Sequence, residues 1–142
     1  MPENPFDWSD RMAPSLDEFE ALAKAALENL PEPFRSLTRD VVCEVAEFPE
    51  EEALDDLGID DPFELMGLFT GVGLAQDGAV PNSGQLPNRI HLYRRPILDY
   101  WAENEETLGA IVTHVLVHEM GHHFGFSDDD MEAIEAAAER GE

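Results

Sequence analysis

A chain of 142 residues is long enough to bury a hydrophobic core without disulfide or metal staples, and short enough to be a single domain. Its 32 acidic residues outnumber 8 basic ones, and the formal charge of −24 repels phosphate backbones and anionic bilayers, which excludes nucleic acid and a membrane surface as expected partners. The single cysteine excludes an intramolecular disulfide. With no basic-then-apolar leader at the N-terminus and no segment of membrane-span length, the sequence reads as a cytoplasmic protein.

Residues 1–14, rich in Pro, Asp and Asn, read as an arm, and residues 15–142 as one domain. From Ser15, SLDEFEALAKAALENLP places Leu16, Phe19, Leu22, Ala23, Ala26, Leu27 and Leu30 on one face of a helix, with Ser15 and Glu18 as its capping box. DVVCEVAEF, Asp40 to Phe48, is β-branched and stops at Pro49, so it predicts a strand in which Cys43 is a small core residue. PEEEALDDLG predicts a short helix stopped by Gly58. Three glycines among apolar residues in ELMGLFTGVGL, Glu64 to Leu74, suit a strand close to another backbone or a ligand. AQDGAVPNSGQLPN reads as a loop, and RIHLYRR, Arg89 to Arg95, as a second strand ending at Pro96.

A short helical turn is expected from Pro96 to about Trp101, and a longer helix from Asn104 or Glu105. Leu108, Ile111, Val112, Val115, Leu116, Val117 and Met120 cover most of its circumference, which marks a helix buried on nearly every side, the exception being the row Ile111, His114, His118 and His122. Gly125 ends it. Ser127 caps a last helix, with aspartates in the first turn and Arg140 near the end.

The histidine row carries the chemistry. Residues four apart on a helix are about 40° out of line, so His118 and His122 can grip one ion, while Glu119, about 100° further round, stands beside it as a proton acceptor. His118, Glu119 and His122 make the HExxH arrangement of zinc peptidases. A third ligand must come from elsewhere, and Gly125 can turn the chain back through positive φ towards Asp128, giving HExxHxxGxxD. Ser127 to Asp130 also satisfy the capping pattern of a helix start, and Asp129, Asp130 or Glu132 are alternative ligands. A straight helix does not bring three successive turns to one ion, so His114 reads as lining the cleft or contacting a ligand, and His123 as a supporting or surface group.

TLGAIVTHVLVHEMGHHFGFSDDDME, preceded by RIHLYRRP and ELMGLFTGV, resembles the small bacterial zincin-like metallopeptidases, or minimal zincins, over about Val41 to Glu135. The resemblance implies an α+β fold, a small mixed sheet packed against the metal-binding helix, with helices at both ends of the domain. It implies zinc as cofactor, His118, His122 and Asp128 as ligands, Glu119 as general base, and a peptide or protein substrate. By analogy, about Leu65 to Val72 forms the substrate-pairing rim with Arg89 to Arg95 as its inner neighbour, and Gly67, Gly71 and Gly73 either admit a substrate backbone or serve a tight bend. The larger metzincin plan is not matched: only fourteen residues follow Asp128, Met131 comes too soon to be the methionine beneath the metal, and no separate downstream helix offers a glutamate ligand. Three functions are consistent with this pattern: a zinc-dependent peptidase, a non-catalytic metal-stabilised interaction module, and, more remotely, a two-histidine, one-carboxylate iron oxygenase.

Overall fold

The computed structural model describes residues 7–71 and 88–140. The first six residues of the expected arm, Val72 to Leu74 of the strand expected over Glu64 to Leu74, and the expected loop up to Pro87 lie outside the described residues. Among those described, six α-helices, a 3-10 turn (Pro62–Glu64) and three strands form an α+β arrangement.

Residues 7–15 form no helix or strand, and Arg94 Nε donates to the Pro14 carbonyl at 2.6 Å, which ties the end of this stretch to the domain. Helix α1 (Leu16–Glu28) starts at the expected capping box: Glu18 N donates to Ser15 Oγ, and Ser15 N to the Glu18 carboxylate. Phe19 and Ala23 are fully buried on its inner face, whereas Leu16, at the outer edge of that face, stays exposed. A single turn, α2 (Phe34–Leu37), follows; it lacks the length that makes helical periodicity legible, yet it buries Phe34 against Phe126 with ring centroids 5.2 Å apart.

Strand β1 (Val42–Ala46) and helix α3 (Glu51–Leu57) come next, and Gly58 closes α3 at φ 70°. Strand β2 (Gly67–Thr70) and strand β3 (Arg89–Tyr93) complete a sheet of order β1-β3-β2, with β3 parallel to β1 and antiparallel to β2. Register puts Cys43, Ile90 and Phe69 on one face with Val45, Leu92 and Gly67, and this face covers the core. Among the described strands β2 is one of the two edges, β1 being the other, and β3 is its inner neighbour, the order that the rim analogy expects.

Helix α4 (Arg94–Glu103) is longer than the turn expected after Pro96, and it takes over the last two residues assigned to the strand. Pro96 is its third residue, where the missing N–H is one the helix leaves unpaired anyway. Arg94 and Arg95 instead pair with Glu47 at 3.0 and 3.1 Å. Helix α5 (Leu108–His123) begins later than Asn104 because Thr107 is the cap, its side chain accepting from Ala110 N at 3.1 Å. Val112, Leu116, Val117 and Met120 are fully buried, and so is Ile111 at 2% exposure, so of its two places in the reading it takes the one among the buried residues. Helix α6 (Asp128–Glu139) packs back on α5 and buries Met131. No helix among the described residues is long and apolar enough to cross a membrane.

Cys43 faces the core side of β1, and burial, with the charges of Glu20 and Glu44, pushes its thiol from 9.0 up to about 11. At about pH 8 its thiolate is then roughly a hundredfold scarcer than that of an ordinary thiol. Labelling by a disulfide reagent is expected to be slow in native protein and to rise by about that factor in urea; equal rates in both would contradict this placement.

Candidate metal centre

Helix α5 carries His114, His118 and His122 on one stripe, with ring centroids 4.0 Å apart for the first pair and 6.1 Å for the second. The helix ends in a tight reversal. Phe126 N donates to Gly121 O at 2.8 Å and Gly125 N to His122 O at 3.3 Å, the paired bonds of a left-handed helix stop, with Gly125 at φ 89°. This turn aims α6 back along α5.

Ser127 caps α6, and Asp130 is its reciprocal partner: Asp130 N donates to Ser127 Oγ at 3.1 Å and Ser127 N to Asp130 Oδ2 at 3.2 Å. The capping role thus falls on Asp130 and leaves Asp128 for another. Asp128 Oδ1 lies 3.1 Å from His122 Nε2, and donor atoms of His118, His122 and Asp128 all lie within 4.8 Å of one another. Neither Asp129, Asp130 nor Glu132 joins such a group of three among the described residues. Two imidazoles and a carboxylate are a donor set that fits zinc, and the exposure of the His122 and Asp128 side chains, 60% and 75%, leaves a solvent-facing side for a fourth ligand.

The environment favours the forms that ligation and proton transfer need. Burial, reinforced by the neighbouring His114, lowers the His118 pKa against the pull of Glu135 and so favours the neutral imidazole, the form that binds a cation. Burial raises the Glu119 pKa, opposed by His122, which makes its carboxylate a better proton acceptor than an exposed one.

Gly67 explains why Glu119 is covered. A Cβ at Gly67 would stand 2.7 Å from Val115 Cγ1 and 3.3 Å from Glu119 Cγ, so the bare backbone of β2 lies directly against α5. The close approach foreseen for this glycine is therefore to the helix and not to a substrate. Gly71, at φ 131° and hard against Asn88, serves the bend, and Gly73 lies outside the described residues. Gly67→Ala is expected to cost about 1–3 kcal/mol by pushing β2 off α5; a urea melt matching the parent would refute it.

His123, read as a supporting or surface group, is partly exposed and packs against β2. Its ring stacks on Phe69 with centroids 4.0 Å apart and planes at 29°, Nε2 is buried without a partner, and burial lowers its pKa. His114 Nδ1 meets Glu135 Oε2 at 3.1 Å. Sequence reasoning passed over Glu135, although its position seven residues after Asp128 puts both acids on one face of α6 and gave the signal for it.

A family model described as zincin-like metallopeptidase matches residues 38–138, well over half of the chain and the whole of this centre. No curated protein matches it.

Proposed function

Because the chain belongs to the zincin-like metallopeptidase family, we propose that it hydrolyses peptide bonds, with His118, His122 and Asp128 as zinc ligands and Glu119 as general base. The observation that carries this reading is the convergence of those three donor side chains on one exposed side of α5 beside a half-buried glutamate whose pKa is raised. Zinc bound there would polarise the scissile carbonyl and acidify a water.

The chain's own residues supply the rest. Glu119 accepts the proton of the attacking water, holds it while the carbonyl carbon is tetrahedral, and returns it to the departing amine nitrogen. Its burial beneath β2 suits both halves of that task, since a raised pKa strengthens the base and makes the protonated form accessible. None of the described strands pairs with the outer edge of β2, and its backbone groups would hold an extended substrate with the scissile bond along the helix that carries the donors.

The test is to strip the purified protein with a chelator, restore zinc, and follow cleavage of unfolded protein and of a quenched-peptide pool. One zinc per chain and cleavage that stops on chelation and returns with zinc are expected. A full complement of zinc with every substrate left intact would overturn the peptidase reading in favour of a metal-stabilised module.

A further inference from the structure

The three histidines of α5 are spaced by four, so His114 and His118 repeat the two-imidazole bite of His118 and His122 one turn nearer the helix start. Helix α6 supplies a matching acid to each pair. Asp128 and Glu135 lie two turns apart on one face, and because α6 runs back along α5, Asp128 meets His122 while Glu135 meets His114. Donor atoms of His114, His118 and Glu135 lie within 4.8 Å of one another, as do those of His118, His122 and Asp128. His118 belongs to both groups.

Glu135 carries an independent sign of a missing partner. One carboxylate oxygen, Oε2, is 3.1 Å from His114 Nδ1, but Oε1 is closed off from solvent and has no hydrogen-bond partner. A buried carboxylate oxygen without a donor is unfavourable, and a cation beside it removes the deficit.

We propose that His114, His118 and Glu135 form an alternative position for a single divalent cation of the zinc class, which exchanges with the His118, His122 and Asp128 position through the shared imidazole. Both sets are two imidazoles and a carboxylate, so ligand chemistry does not separate them. Sharing forbids filling both together: a neutral imidazole has one nitrogen lone pair to give, and serving two ions would require loss of its remaining N–H proton. The two positions are offset by one turn of α5, about 6 Å along the axis. An ion drawn towards His114 is out of step with Glu119, so the alternative position stores the ion in an inactive place. The inference rests on the proposed zinc centre for the identity of the ion.

The test reads metal content and not turnover. Chains stripped of metal are given one equivalent of zinc chloride, dialysed, and analysed for zinc per chain, with cobalt absorption spectra as a second probe and circular dichroism to verify folding. His122→Ala, Asp128→Asn and His114→Ala are each expected to keep one zinc per chain. His118→Ala, and His122→Ala combined with either His114→Ala or the isosteric Glu135→Gln, are expected to lose it, and the cobalt spectrum of His122→Ala is expected to differ from that of the parent. An empty His122→Ala chain overturns the proposal, as does a double variant that keeps zinc as well as His122→Ala alone. If instead His122→Ala and Asp128→Asn bind zinc as tightly as the parent while His114→Ala is empty, the position at His114 stands and the ligand set assigned to the peptidase centre fails.

Discussion

Glu119→Gln is expected to keep one zinc per chain and to lower peptide turnover by about two to four orders of magnitude, the usual contribution of a positioned acid–base group. Gln matches Glu in shape, so the packing of Glu119 against β2 is preserved, while the amide can neither take a proton from water nor return one to the amine. The loss should fall on kcat with little change in KM, because nothing that holds the substrate is removed. A second readout is independent of turnover. Burial raises the Glu119 pKa in the folded chain, so the folded form binds this proton more tightly than the unfolded one. The metal-free protein therefore gains stability from this group as pH falls from the raised folded value to the ordinary unfolded one, and carries the burial penalty above that window. Glu119→Gln has no proton to exchange, so it should be the more stable chain at neutral pH and lack that part of the slope. Turnover within a few-fold of the parent, with zinc present, would remove Glu119 from the reaction.

Gly121→Ala is expected to disrupt the packing of α6 on α5. A Cβ there would fall 2.0 Å from Met131 Sδ and 2.8 Å from Met131 Cγ, and Met131 is fully buried, so its flexible side chain has no open space to swing into. Overpacking of this kind costs about 1–3 kcal/mol. The local consequence is larger: relief comes by lifting α6 from α5, which carries Asp128 away from His122. Weaker zinc binding should accompany the loss of stability. Met131→Ala alone leaves a cavity and should cost about 2–5 kcal/mol, yet added to Gly121→Ala it frees the space the new methyl needs. The double variant should therefore lose less than the two single losses together, and should bind zinc better than Gly121→Ala. Strictly additive urea midpoints and unchanged zinc affinity would show that this contact does not set the distance between the helices.

Those two residues also mark how far the sequence was legible. Ser15 with Glu18, Ser127, Gly58 and Gly125 were readable because caps and left-handed stops depend on a few neighbouring residues. His118, His122 and Asp128 were proposed for the same reason: a helix turn and the loop after it set their spacing, whatever the rest of the fold does. Asp130 shows where local logic stops short, since the capping pattern could not say which aspartate would cap and which would face the histidines; the hydrogen bonds to Ser127 decide it. A close approach at Gly67 is legible but its partner is not, and Gly121 gives no local sign at all. Their meaning lies in which side chain of another element stands opposite, Val115 for one and Met131 for the other, and periodicity carries no such information. Pro96 hides the start of α4, since after a strand it signals a stop, whereas a proline is equally at home in a first helical turn.

From His118 to Asp128 is a stretch of eleven residues. Drawing its ends together sacrifices little chain entropy compared with assembling β1, β2 and β3 across the length of the molecule, so the αα-corner can form while the rest of the polypeptide is still loose. An ion taken up at that stage fastens the corner early and leaves the long-range strand pairing to follow on a preformed platform. Refolding in the presence of zinc should accordingly be faster than refolding without it.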